Sequence, residues 1–138
     1  MSEDAISAAL RTDRTIDITT TGAKSGEPRT IEIWFHNLNG ELFICGTPGG
    51  PKGPGHRHPR GWLANLVAHP EFVFHLKESV QADIPARAKP VTDSATRRRF
   101  MSAPSTRWYR DQGYSVDELV NNAPIVALQL DVDKAVVK

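Results

Sequence analysis

Between two β-branched runs lies the turn Gly22-Ala23-Lys24-Ser25-Gly26-Glu27-Pro28, followed at once by Arg29. Two glycines free the backbone to aim N–H groups at one point. Lys24 adds a cation, Ser25 a hydroxyl and Arg29 a planar fork of donors. Such a set could hold a phosphate or a carboxylate. Taken alone it also reads as an ordinary hairpin turn with solvated charges, because short Gly/Lys/Ser turns are common. A second anion-friendly stretch runs from Thr47 to Arg60, TPGGPKGPGHRHPR. It holds four of the ten prolines and four of the ten glycines, together with Lys52, Arg57 and Arg60 and no acidic residue. Its N–H groups at Gly49 and Gly50 are unhindered by side chains. It also leads into a helix start near Gly61, where unpaired N–H groups attract anions. The plain alternative is a disordered basic surface loop. Two such segments, with no other evident reason to be cationic, favour an anion site.

The aromatic side chains Trp34, Phe35, Trp62, Trp108, Tyr109 and Tyr114 are of the kind that stack on a flat conjugated ligand. Phe35, Phe43, Phe72, Phe74 and Phe100 read as core. Trp108, Tyr109 and Tyr114 fall in a polar, loop-like stretch (STRWYRDQGYS), where exposed aromatics suggest a lid over a site. His56-x-His58, with His69 further on, has neither a cysteine nor an acidic neighbour, so no metal site is expected. His36 and His75 read as edge or core residues of strands. The single cysteine, Cys45, excludes an internal disulfide and reads as a small buried hydrophobe. No nucleophile elbow, phosphate-binding Walker loop or dinucleotide fingerprint occurs, so serine-triad hydrolysis and nucleoside triphosphate turnover are unsupported.

The elements that must position these groups are mostly strands. Ile16 and Ile18 alternate with Asp17 and Thr19 in the run 15–21. The run 29–37 is a second strand, with Ile31 and Ile33 on one side and Glu32 and Trp34 on the other. Asn39-Gly40 marks a two-residue hairpin, and 41–46 is the third strand. A helix is expected over 61–69, with Trp62 and Leu66 on one stripe and Leu63 and Val67 on another, ended by Pro70. Strands follow at 71–76 and 80–88, a helix at 91–100 with Asp93 as N-cap, a short helix at 116–122, and a last strand at 124–130. Residues 1–12 form a helical lead-in to one domain covering 1–138. The expected class is a mainly β barrel of about six antiparallel strands with peripheral helices.

The chain has 138 residues, 17 Lys+Arg against 16 Asp+Glu and a net charge of +1. The near-neutral balance removes the simplest case for nucleic-acid binding. No apolar run approaches the roughly 20 residues of a membrane span. The acidic start lacks a signal-peptide pattern, and a cytoplasmic protein is expected.

The segments ITTTGAKSGEPRTIEIWF, GTPGG and HPRGWLANLVAHPEF, in that order, resemble the deazaflavin-dependent nitroreductase and quinone-reductase family. The resemblance runs from about Ile16 to Leu130. It implies a split β-barrel related to FMN-binding barrels, and a reduced 8-hydroxy-5-deazaflavin coenzyme (coenzyme F-420). Lys24, Ser25 and Arg29 would meet the coenzyme's phosphate and acidic tail. Thr47, Gly49 and Gly50 match the family's glycine loop, and Trp62 and Asn65 its helix. Arg60 is a further cation for the same site, and Trp34 falls where the family lines the ring site with an aromatic. Tyr109 and Tyr114 lie where the family places tyrosines over the substrate, and either could hydrogen-bond an acceptor oxygen or donate a proton. Ala23 and Pro48 depart from the family's usual arginine and lysine, and each removes a cation.

The resemblance implies hydride transfer to a small-molecule electron acceptor: a quinone, a nitro compound or an activated alkene. FMN-dependent oxidation–reduction on the same fold, and a non-enzymatic barrel that binds a cofactor or apolar ligand, stand as alternatives. A homodimer is expected if strand edges are left open.

Overall fold

The computed structural model describes residues 2–48 and 61–138. Helix α1 (Ser2–Thr12) leads into strands β1 (Thr15–Thr21), β2 (Pro28–Leu38) and β3 (Glu41–Cys45). Helix α2 (Gly61–Ala68), β4 (Glu71–Leu76) and β5 (Ala82–Pro90) follow, then α3 (Ser94–Met101), a 3-10 turn at Pro104–Thr106, α4 (Arg107–Arg110) and α5 (Val116–Asn122). The chain ends with β6 (Ile125–Leu130), a second 3-10 turn at Val132–Lys134, and β7 (Val136–Val137).

The strands pair antiparallel in the order β4-β1-β2-β3-β6-β5, and β5 returns to β4, so six strands close into the expected barrel. β6 covers β5 from Ala86 to Pro90, and β7 covers the same edge at Ala82 and Asp83. β2 meets β3 only from Phe35 to Leu38, so among the described residues its Pro28–Trp34 stretch is paired on the β1 side alone. Among the described residues no helix is long and apolar enough to cross a membrane.

Local chemistry explains the elements. β1 alternates half-buried and buried residues along its whole length, the signature of one face turned inward. Asn39 and Gly40 both take positive φ, 54° and 93°, as a tight hairpin between right-twisting strands requires. The helix expected over 91–100 starts at Ser94, because the Asp93 carboxylate accepts from the Thr96 N–H at 2.8 Å and caps it there. In α2 the apolar face differs from the expected stripes. Leu66 is buried and Trp62 and Leu63 pack on the barrel, but Val67 is 61% exposed. An eight-residue helix resting on a curved barrel touches it along one narrow line, and Val67 lies beyond it.

Two cores result. The barrel interior holds Ile16, Ile18, Phe35, Ile44, Phe74 and Ile84, with Ile6 and Ala9 of α1 and Leu66 of α2 joining them. The second core lies outside the barrel, against Phe43, Cys45 and Ile125 of β3 and β6. There α3, α4 and α5 bring Phe100, Met101, Tyr109, Leu119 and Val120. The polar stretch 105–115, expected as a loop, is therefore partly helical, because it must turn Tyr109 inward to complete this core.

Arg97 joins the helices of the second core. Its guanidinium donates to the carbonyls of Val120 (2.6 Å), Val91 (2.7 Å) and Ala123, which end α5 and enter α3. Arg98 beside it reaches only the exposed Asp117 at 2.9 Å. Arg97→Ala orphans three carbonyls in a half-buried place and is expected to cost about 2–4 kcal/mol in urea unfolding, against less than about 0.5 kcal/mol for Arg98→Ala. Equal costs would remove Arg97 as the joint of the helical layer.

Candidate functional site

The turn between β1 and β2 is internally bonded. Gly22 N donates to Glu27 O (2.8 Å), Gly26 N to Gly22 O (2.9 Å) and Glu27 N to Ser25 Oγ (3.1 Å). Ala23 N donates to the side-chain oxygen of Asn65 at 2.9 Å. Gly26 needs its positive φ of 70° to close the loop. A Cβ on Gly22 would meet Ser25 Oγ at 2.4 Å, so the serine hydroxyl is folded back over the glycine. The Gly22, Ala23, Gly26 and Glu27 amides are thus engaged within the protein. Lys24, Ser25 and Arg29 are all exposed there. Among the described residues, neither Lys24 nor Arg29 makes an ion pair, whereas Lys77, Arg87, Arg98, Arg99, Arg107, Lys134 and Lys138 all do.

Asn65 has both ends of its amide occupied. Besides accepting from Ala23 N, it donates to Thr20 Oγ1 at 3.1 Å. It therefore fixes α2 against the turn and places the turn's cations, while its own donors and acceptor face protein. Trp62, one turn earlier on α2, reaches the end of β3: its ring lies 3.7 Å from where a Cβ on Gly46 would stand. Gly46 N in turn donates to Pro124 O at 3.1 Å. Thr47 follows directly and is half-buried. Gly49, Gly50 and Arg60 lie outside the described residues.

The second group of predicted residues sits on the outer face of β2. Trp34 carries the Arg14 guanidinium over its ring, 4.4 Å from the centroid, a cation–π contact. Its other neighbour is Trp108, edge-on at 5.3 Å. Trp108 is 43% exposed, as expected for a lid aromatic, but Tyr109 is not: only 4% of it reaches solvent. Its hydroxyl lies 3.1 Å from His36 Nε2, and Cys45 is its other hydrogen-bonding neighbour. Tyr114 is half-buried against the same core. Arg14, Trp108 and the His36–Tyr109–Cys45 contact were not legible as a set, because β2, β3 and α4 bring them together from three distant parts of the chain.

A cleft of about 870 Å³ adjoins the turn on the side of Thr19–Thr21 and Pro28. Its walls carry the exposed pairs Arg87–Glu71 and Lys134–Asp131 and none of the predicted ring-lining aromatics. Among the described residues no group of three or more His, Cys, Asp or Glu side chains is placed to hold a metal.

Electrostatics divide the site into a wet cationic rim and a dry neutral interior. Burial, assisted by the charge of Arg14, lowers His36 to about 4, and the nearby main chain of Ser105 opposes this only weakly. His36 Nδ1 has no well-formed partner, which agrees with a small opposing contribution. Burial raises Cys45 to about 12, so it is a thiol and not a nucleophilic thiolate. Burial also raises the Tyr109 phenol above its ordinary range. An unfolded histidine titrates at 6.5, so between about 4 and 6.5 the unfolded chain binds a proton that the folded chain does not. Stability is therefore flat above that window and falls as pH is lowered through it, by as much as about 2–3 kcal/mol. Urea midpoints of the native protein and of His36→Gln at pH 7 and 4.5 test this. The native protein should lose more stability than the variant, and a parallel loss would show that His36 is not buried neutral.

The fold recurs among solved structures. The General Stress Protein 26 from Bacillus anthracis aligns with a TM-score of 0.64 at 14% identity over 94% of this chain and 89% of its own. The FAD and heme binding protein from Mycobacterium smegmatis aligns with a TM-score of 0.66 at 16% identity over 98% of this chain and 69% of that one. An F420-H2 dependent reductase aligns with a TM-score of 0.53 at 20% identity over 85% of this chain and 95% of its own. These identities are low enough that the structures speak for the barrel and not for its ligand. The sequence is more specific: residues 2–128 match one family throughout, and the barrel with its cationic turn belongs to an oxidoreductase of the F420H(2)-dependent quinone reductase family.

Proposed function

We propose that this chain holds a reduced deazaflavin by its phosphate tail at Lys24, Ser25 and Arg29 and presents the ring to a quinone, nitro compound or activated alkene. The observation that carries the reading is the pair of exposed cations, Lys24 and Arg29, without a carboxylate partner among the described residues, flanking a serine hydroxyl. That donor set fits a phosphate better than any neutral group. Ala23 and Pro48 each take a cation from the site, and Lys52, Arg57 and Arg60 of the basic loop are the cations proposed to compensate.

When bound, the deazaflavin supplies the hydride and the difficult chemistry. The residues of this chain supply placement. Asn65 holds the turn and α2 in one frame. Trp62 and Thr47 close the end of β3, and Gly49, Gly50 and Arg60, outside the described residues, are proposed to contribute to the same site. Trp34 gives a flat wall, and Trp108 covers its edge. Tyr114, at the border of the helical layer, is the hydroxyl proposed to meet an acceptor oxygen. Tyr109 is the second proposed tyrosine, and its buried hydroxyl could act only by supporting that wall from beneath.

Fluorescence titration with oxidised deazaflavin and with FMN tests the cofactor. Lys24→Glu with Arg29→Glu is expected to weaken deazaflavin binding about 100-fold or more, since each charge-assisted contact contributes about 1.5–3 kcal/mol. Unchanged affinity would remove the turn from the site, and FMN retained through purification would favour the flavin alternative. Tyr114→Phe is expected to slow menadione reduction about 100-fold with coenzyme affinity unchanged, the size of a lost proton donor. Full turnover in that variant would leave the acceptor oxygen to another group.

A further inference from the structure

The His36–Tyr109 contact is not used by hydride transfer, yet it is built for another kind of step. Rings follow one another inward from the surface: Trp34 to Trp108 at 5.3 Å, Trp108 to Tyr109 at 5.1 Å, and Tyr109 to His36 at 5.6 Å between centroids. Only the first two reach solvent, and Trp108 presents the more exposed edge. At the inner end the phenol and imidazole are 3.1 Å apart in a site with 2% and 4% exposure. In the His36 tautomer that leaves Nε2 unprotonated, the Tyr109 O–H donates to Nε2, and Cys45 is the other group within reach of the phenol.

We propose that Tyr109 and His36 form a redox-active pair, in which Tyr109 gives up one electron through Trp108 while its phenol proton passes to His36 Nε2. The oxidant is a one-electron acceptor that meets the Trp108 edge, an organic peroxyl radical by class. It takes one electron and, with a proton from water, becomes a hydroperoxide. Trp108 regains its electron from Tyr109, whose O–H bond breaks as the proton moves to the imidazole. A neutral phenoxyl radical and an imidazolium remain. A thiol- or ascorbate-class reductant restores the pair by returning one electron, and the proton goes back to the phenol oxygen. The Arg14 charge over Trp34 disfavours a positive hole on that indole, and the same charge opposes the imidazolium at His36, so Arg14 keeps positive charge off the β2 wall without favouring it at the pair. The depressed basicity of His36 does not block the step. It keeps the ring unprotonated and able to accept, and an oxidised phenol is far more acidic than any imidazolium. The inference stands whichever ring coenzyme the barrel holds.

The chain has only two tyrosines, which makes the test sharp. The purified full chain is photo-oxidised with ruthenium trisbipyridine and persulfate, freeze-quenched, and read by electron paramagnetic resonance. Tyr114→Phe, in which Tyr109 is the sole tyrosine, is expected to keep a long-lived tyrosyl signal with the g-shift of a hydrogen-bonded phenoxyl. Tyr109→Phe is expected to lose it, and Trp108→Phe to form it in lower yield. The absence of a tyrosyl signal from Tyr114→Phe overturns the proposal, as does an undiminished yield in Trp108→Phe. The Tyr114→Phe result decides even if the Tyr109 variant does not fold.

Discussion

The two-sided apolar character of β3 and β6 governs the rest of the molecule. A barrel strand normally buries one face and wets the other. In β3, Leu42 and Ile44 fill the barrel while Phe43 and Cys45 face out, and Ile125 of β6 faces out beside them. That outer surface cannot be left in water. The helices α3 to α5 must lie over it, and only there. The opposite outer face shows the contrast. Thr30, Thr19, His75, Asp83 and Lys138 follow one another across β2, β1, β4 and β5 at 2.7–2.9 Å, and Lys77 bridges Asp17 and Glu32. That face is satisfied in water and carries no second layer.

This asymmetry places the chemistry. The covered side brings Trp108 against Trp34 and seals His36, Tyr109 and Cys45 from solvent. The rim of the barrel carries the turn, whose Gly22, Ala23, Gly26 and Glu27 amides are bonded within the protein and whose cations make no ion pair among the described residues. Local hydrogen bonds make the turn rigid, and its charge remains available for an anion. Asn65 couples the two by tying α2 to the turn, so the position of the cations relative to the barrel depends on one side-chain amide. In such a frame a cofactor oxidoreductase needs no acid–base machinery of its own beyond a well-placed hydroxyl.

Much of this was legible in the residues. Period-two alternation in 15–21 and 29–37, the Asn39-Gly40 hairpin, the Asp93 cap and the 116–122 helix all follow from local rules, and each appears where those rules put it. The 105–115 stretch did not yield to the same rules. Its composition is polar, and Arg107, Trp108, Tyr109 and Arg110 make too short a run for periodicity to declare which face is buried. Val67 misled for a related reason: spacing identifies a stripe, but the width of the contact depends on the curvature of what lies beneath. The turn shows a further limit of local rules: composition shows that N–H groups are free to point, and only the folded turn shows that those of Gly22, Ala23, Gly26 and Glu27 point at protein groups.

By itself, the amino-acid sequence determined the order of strands along the chain, the kinds of turn, the presence of a cationic bend before β2 and the family to which the chain belongs, because these reside in short segments whose physics is local. Tertiary structure alone decided the order in which the strands pair around the barrel, that Tyr109 faces inward to His36 and Cys45, that Arg14 lies over Trp34, and that Asn65 serves the turn. Each of those contacts joins residues far apart along the chain, and their pairing is set by which apolar faces must be hidden together.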